Sequence, residues 1–560
     1  MKRKILLSVW ILFLAILAGK AQCPDNLNIY LSGQIEVEAF ATMYPNCSEI
    51  HRLTITGASV SSLESLHFLT SITMLHLSSL NSLTSLSGLE NINTTVSELW
   101  ILDNPSLTDI SQLSGISGML DYFIIENNDA LLHLTGLQNI EGVFSLWASP
   151  LIIVDNDNLL DLHGLEGITY AEAIPEDPGQ MYDDLWDVVI EGNDALQSLE
   201  GLGAITNLYD LRIENNNALP DLDGLQNQAY IDELHVVEND ALESVDGLKP
   251  GGIITQVYIE NNNGLVTLNG LDSLASVERL AIISNENLTD ITSLPGFSEG
   301  ISIYENDDLT GLSAFDEITG EDVRSISFYG NEILSTLTPL QDIENLHSLG
   351  IFSSPSLENL SGLHHLKQVE SWLVLKENQN LNDITSLSQL DTVGSLLIQG
   401  NPSLVSLLGF AVDTAHFTSV FIKDNLNLPV CEAVSICNFL LNFSEEENEV
   451  EIVNNAPGCN SRVEVEAACG IIGVDEVVFD SPLLKVSPNP AESFFEITLG
   501  QESQLPINDV RIFDGMGRLV YQNEPESLLH KIDTKNLPEG IYVVLVNGRY
   551  SEKLVIQKWD

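Results

Sequence analysis

Asparagine returns at a near-constant interval through most of this chain. It stands at positions 104, 128, 156, 193, 216, 239, 262, 285, 306, 331, 378, 401 and 425, and Ser354 fills the gap between 331 and 378. Most steps are 21 to 25 residues. Each asparagine follows an apolar–any–apolar triplet and precedes a leucine three residues on. Examples are Leu211-Arg-Ile213 with Asn216 and Leu219, and Val257-Tyr-Ile259 with Asn262 and Leu265. Leu53-Ile55 and Leu75-Leu77 carry the pattern upstream, for about sixteen units in all. Self-similarity at this period marks a solenoid, in which each unit buries its apolar face only against its neighbours.

The spacing predicts the coil. Two apolar residues two positions apart on a short strand point the same way, into the core. Each coil then adds one strand to a parallel sheet, and sixteen coils advance about 75 Å. The asparagine sits where the chain turns out of the strand, where its amide can satisfy backbone groups and stack along the column. Gly136, Gly164, Gly201, Gly224, Gly247, Gly270 and Gly362 fall at a second bend, where a side chain would obstruct the turn.

Ordinary leucine-rich repeats place an apolar residue two after the asparagine; here it comes three after. With segments such as Gly136-Leu-Gln-Asn-Ile140, the array resembles the receptor L-domain, the ligand-binding leucine-rich solenoid of insulin-receptor-like proteins. The resemblance covers residues 50–430, more coils than one L-domain has. It implies a mainly β, right-handed solenoid that binds a partner.

Residues 1–21 read as a signal peptide. Met1-Lys2-Arg3-Lys4 is basic, residues 5–17 are apolar, and Gly19-Lys20-Ala21 offers small residues before a cut at Gln22. The apolar stretch is too short for a comfortable membrane span, and no later transmembrane run is present in the sequence. Six cysteines fit export and lie only at the ends of the array: Cys23 and Cys47, then Cys431, Cys437, Cys459 and Cys469. Their position suggests disulfide-bearing caps over residues 22–50 and 431–474, flanking a solenoid over 51–430, with the pairing left open. The second cap resembles one seen after such arrays in secreted Bacteroidetes proteins, carried by Cys431, Ile436-Cys437, Gly458-Cys459-Asn-Ser, Val463-Glu-Val-Glu and Cys469.

After an acidic linker at 475–482, the pattern changes to alternating strands parted by turns such as Asp514-Gly-Met-Gly517 and Asn547-Gly548. An Ig-like β-sandwich is expected over 483–560. Ser487-Pro488-Asn489-Pro490, Val510-Arg-Ile-Phe-Asp514 with Gly517-Arg518, Leu537-Pro-Glu-Gly540-Ile541-Tyr542 and Lys553-Leu-Val-Ile556 resemble, in order and spacing, the type A sorting domain of the type IX secretion system of Bacteroidetes. That resemblance implies recognition by the secretion machinery at the outer membrane, and a protein either released or held on the cell surface.

The net charge of −60, from 21 Lys+Arg against 81 Asp+Glu, argues against a nucleic-acid partner, since phosphates need a basic face. Catalytic arrangements are missing from the sequence. There is no HExxH and no P-loop; Asp155-Asn-Asp157 begins like a calcium loop, but Leu159 takes a ligand position. No enzyme activity, cofactor or metal site is expected. A binding role is, because solenoids present long faces. The residue between the two inward apolar positions should face outward, as at Trp100, Val189, Arg212, His235 and Tyr258. So should the residue after the second, as at Tyr304, Tyr329 and Phe352. The last three fall on successive coils and form an aromatic strip suited to a protein or glycan ligand. The long step from Asn156 to Asn193 places an insertion near residues 170–187, with Tyr170, Tyr182 and Trp186. The expectation is therefore a secreted or surface adhesion protein, with a polysaccharide-acting enzyme or a structural surface-layer component as alternatives.

Overall fold

The structure is a computed structural model. It describes residues 23–24, 27–145, 150–173, 186–295, 297–318, 323–412, 416–444, 448–471, 484–499, 507–514, 518–525, 529–546 and 550–558. The signal segment, the 475–482 linker, Tyr182 and Gly517 lie outside the described residues. The chain divides into two units, 1–471 and 472–560.

The first unit is the solenoid. Among the described residues, nineteen of its strands form one sheet in which each coil pairs in parallel and in register with the next, as Leu211↔Leu234↔Val257↔Leu280 shows, and Thr94–Thr95, Ile116–Leu120, Ile140–Ser145 and Ala171–Ala173 form a second, four-stranded parallel sheet. The paired inward positions of each strand are buried, and so are the leucines that follow. Those leucines recur every third residue, as at 107, 110 (isoleucine) and 113, or 334, 337 and 340. A three-residue period matches the 3₁₀ helix, whose side chains eclipse at i and i+3. Ser111–Leu113, Thr338–Leu340 and Thr385–Leu387 are such turns. The same period thus lines the walls opposite the sheet with one stripe of apolar side chains.

The asparagines form a buried ladder. Asn239 Nδ2 donates to the carbonyls of Ile213 (3.0 Å) and Val237 (2.9 Å) and to Asn262 Oδ1 (3.2 Å). Its own Oδ1 accepts from the backbone N–H of Asn216 at 3.0 Å. One side chain therefore joins three coils. The residue just before each rung is left-handed, for example Asn215 (φ 54), Glu238 (φ 54) and Asn261 (φ 55), which turns the chain out of the strand and frees the carbonyls that the amide then satisfies. At the second bend the glycines are required. Gly224 has φ 122, and a Cβ there would lie 2.3 Å from the Leu199 carbonyl carbon of the preceding coil.

The sheet runs further than the repeat spacing shows. Asn28–Leu31 pairs with Glu49–Thr56 at one end, and Glu449–Val453 pairs with His416–Lys423 at the other. Asn455 adds a rung, accepting from the Asn425 N–H at 3.0 Å and donating to Ile422 O and Cys459 O. Both segments expected to be caps therefore contribute strands as well as helices, Gln34–Met43 in the first and Val434–Leu441 and Arg462–Ala468 in the second. The disulfides are Cys23–Cys47, Cys431–Cys459 and Cys437–Cys469.

The second unit has two antiparallel sheets. Leu484–Ser487, Phe494–Leu499 and Leu529–Asp533 form one; Leu519–Asn523, Val510–Asp514, Gly540–Val546 and Tyr550–Ile556 form the other. Phe495 and Ile497 from the first sheet share a core with Ile512, Val544 and Leu554 from the second, a sandwich-like arrangement.

Candidate functional site

Alternation along each strand sends two columns of side chains outward from the solenoid sheet. The mid-strand column carries bulk near its start, and then loses it. Tyr258 is followed in register by Ala281, Ser302, Ser327 and Gly350, and then by Val374. Within this run of small side chains, over the coils of Ser302, Ser327 and Gly350, the sheet surface drops into a trough of about 350 Å³.

Ser302, Ser327 and Gly350 line its floor, with Ser325 and Ser348 beside them. Phe352 closes one side. Its ring lies across Gly350, where a Cβ would come within 2.4 Å of Cε2, so only glycine admits this pose. Tyr304 leans the same way, and its hydroxyl donates to Ser327 Oγ at 3.2 Å. Trp372, 42 % exposed, lines the trough as well, and so does the Arg279–Glu299 ion pair, with 2.6 Å between Nη2 and Oε2.

Two β-bulges aim these flanking groups. Between the pairs Val277↔Phe297 and Arg279↔Gly300, the second strand carries one extra residue. Gln368–Lys376 likewise carries one more than its partner between Val369 and Trp372. A bulge bends its strand and re-aims the neighbouring side chains; here they sit beside Glu299 and Trp372.

The aromatic strip expected from the sequence exists as a row: Tyr304 and Tyr329 are 5.8 Å apart between ring centroids, and Tyr329 and Phe352 6.4 Å. The row splits in use, however. Phe352 lines the trough and Tyr304 reaches its floor, whereas Tyr329 lines a different groove. Trp100 and Tyr258 stand elsewhere on the sheet. Trp100 stacks on His76 (4.1 Å), which bonds Glu98 at 2.8 Å; Tyr258 stacks on His235 (4.2 Å). Trp186, where the long insertion returns, packs edge-on against His235 and under the Arg212 guanidinium. Burial, reinforced by Arg212, holds His235 down at about 4. Outward exposure fails at Val189, which is buried. Most of the other outward positions are only half-exposed, because neighbours 4.8 Å away, roughly, cover one another's flanks.

Carboxylates gather at the start of the strands and along the ladder turn. Burial first, and then Asp187, Glu233 and Asp232, push Asp210 up to about 7. The groove beside Tyr329, about 800 Å³, runs along the turn and is lined by Glu238, Asp240, Glu286, Glu305, Asp307 and Glu332 among others. Burial and the carboxylates around it raise Asp307. Among the described residues, no group of three or more His, Cys, Asp or Glu is placed to hold a metal ion.

In the second unit, the expected sorting residues Pro488, Asn489 and Pro490 lie along the strand that carries Lys553. Asn489 Oδ1 accepts from the Val555 N–H at 2.8 Å, and its Nδ2 donates to the Lys553 carbonyl at 2.5 Å. Ala491, just past Pro490, exchanges backbone bonds with Val555 and Gln557. The segment that opens with Pro488 is thereby fastened along the final strand. Tyr542 is buried and donates to the Pro538 carbonyl at 2.8 Å, and Gly540 begins its strand.

Residues 485–557 match the secretion system C-terminal sorting domain family. No curated protein matches the chain. The match supports the sorting assignment for the second unit, and with it export by the type IX route to the cell surface or beyond. No described helix is long and apolar enough to cross a membrane.

Proposed function

We propose that this exported chain is a non-enzymatic recognition protein, whose solenoid holds an extracellular partner in the trough between Arg279 and Trp372. The observation that supports it is the coincidence of two independent departures from the repeat. Bulk disappears from the mid-strand column over four coils, and aromatic and bulged groups gather beside that same gap. A coil needs neither for stability. Concave sites with a few placed polar groups and aromatic walls are the usual form of ligand sites. The likeness of the repeat to the receptor L-domain, itself a ligand-binding solenoid, points the same way.

The test fills the trough from its floor. Intact protein is offered to arrays of glycans and of extracellular matrix and host-surface proteins, beside Ser327→Trp. Saturable binding by the native chain, lost in a variant with unchanged circular dichroism, supports the reading. Binding that survives the substitution removes the trough from it.

A further inference from the structure

We infer that the trough takes a neutral oligosaccharide, laid along the solenoid axis across the strands. This rests on the trough being the recognition site, and goes further by naming the ligand class.

The first argument is what the surface offers. Every strand beneath the trough is paired on both sides in the parallel sheet, so its backbone groups are committed. An extended peptide binds best by adding a strand to a free edge, and there is no edge here. What remains is side-chain chemistry. Ser302 and Ser327 form one row of hydroxyls, and Ser325 and Ser348 a second, parallel to it. A hydroxyl both donates and accepts, so it can answer a sugar hydroxyl in either role. Phe352 and the exposed Trp372 supply the ring surfaces on which the C–H face of a pyranose packs.

The second argument is geometry. The hydroxyl rows advance by one coil, about 4.8 Å, per step. That is the same order as the advance per residue of an extended pyranose chain, so successive sugars meet equivalent groups. Four steps from the Arg279 coil to the Trp372 coil give a trough of about 19 Å, room for a short oligosaccharide rather than a single sugar.

The third argument is charge. The chain carries −60 overall. Yet among the described residues lining the trough the charged groups are Arg279 and Glu299, which neutralise each other. A polyanionic glycan would be repelled by the surrounding field, and a polycation would be drawn to the acidic groove beside Tyr329 instead.

The experiment titrates the full chain with neutral gluco-, manno- and xylo-oligosaccharides, from disaccharide to hexasaccharide, by calorimetry and tryptophan fluorescence. The expected result is affinity that rises with length and levels off near about four units, and that changes little with salt. Trp372→Ala and Ser327→Trp should each weaken binding on the order of tenfold or more, while Trp372→Phe keeps most of it. Thermal melts exclude misfolding. Three outcomes overturn the inference. One is that none of these sugars binds at millimolar concentration. Another is equal binding to native chain and variants, which places the sugar elsewhere. The third is tighter binding of uronic-acid oligosaccharides than of neutral ones. If a protein from the arrays binds and is lost with Ser327→Trp while the sugars fail, recognition by the trough stands and the ligand class falls.

Discussion

On each strand, the ladder residue lies four positions after the outward mid-strand residue. Between residues 258 and 354 the ladder reads Asn262, Asn285, Asn306, Asn331 and Ser354, while the outward column reads Tyr258, Ala281, Ser302, Ser327 and Gly350. The two columns share backbone, register and coil spacing. One is nearly constant because each amide must bridge three coils from a buried place. The other is free to change, since an outward side chain is asked only to tolerate its neighbours. Repetition within a single chain thus separates what the coil demands from what it merely permits, and a trend in the permissive column, such as a run of small residues, stands out against that background.

Substitutions in the two columns should differ sharply. Asn239→Ala removes an amide whose two hydrogens are shared among three acceptors, and the acceptor of the Asn216 N–H, in a largely buried place. A loss of about 3–5 kcal/mol is expected in urea unfolding, and a loss below about 1 kcal/mol would mean that the ladder is dispensable. Gly224→Ala forces a Cβ against the Leu199 carbonyl at positive φ, for an expected loss of about 2–4 kcal/mol by the same measurement. At Ser354 the hydroxyl bonds its own coil, at the Phe352 carbonyl. Ser354→Asn should restore the rung and raise stability by about 1 kcal/mol.

The outward face should respond to pH instead. Folded Asp210 keeps its proton until about pH 7, whereas an unfolded aspartate releases it at about 4. The native state therefore binds the extra proton between those values. The stability linked to this group is complete below about pH 4 and is lost as the pH rises through 7. His235, held near 4, acts in the opposite sense over the lower part of that range, so the comparison must be with Asp210→Asn. That variant should match the native chain at low pH and exceed it at pH 8 by thermal melting; a constant difference across the range would count against the assignment. Ser327→Trp should move stability least, within about 1 kcal/mol, because the half-buried position gives up a single bond, from the Tyr304 hydroxyl.

How much could be read from spacing follows the same division. The strands, the ladder and the glycine bends all follow from period, since each must recur to work at all. Asn455 escaped because Gly458 takes the place of the usual leucine three residues on. The trough escaped for a different reason. Its floor was in plain view as Ser302, Ser327 and Gly350, but a search for exposed bulk passes over residues notable for lacking it. The bulges at Glu299 and Trp372 are single-residue changes of register, which variation in coil length conceals. Tyr329 stands in the row of rings that the spacing predicts, yet spacing says nothing of which groove a ring faces.

The disulfides carry a consequence for endurance. A stack held together by nearest-neighbour contacts frays from its terminal coils, which have one neighbour instead of two. Cys23–Cys47 closes the first coils, and Cys431–Cys459 and Cys437–Cys469 close the last. Each bridge cuts the chain entropy that a terminal coil would gain by unwinding, so fraying from either end is disfavoured. Outside the cell, where no chaperone rewinds a loosened end and proteases wait for one, survival is governed by the rate of that first opening.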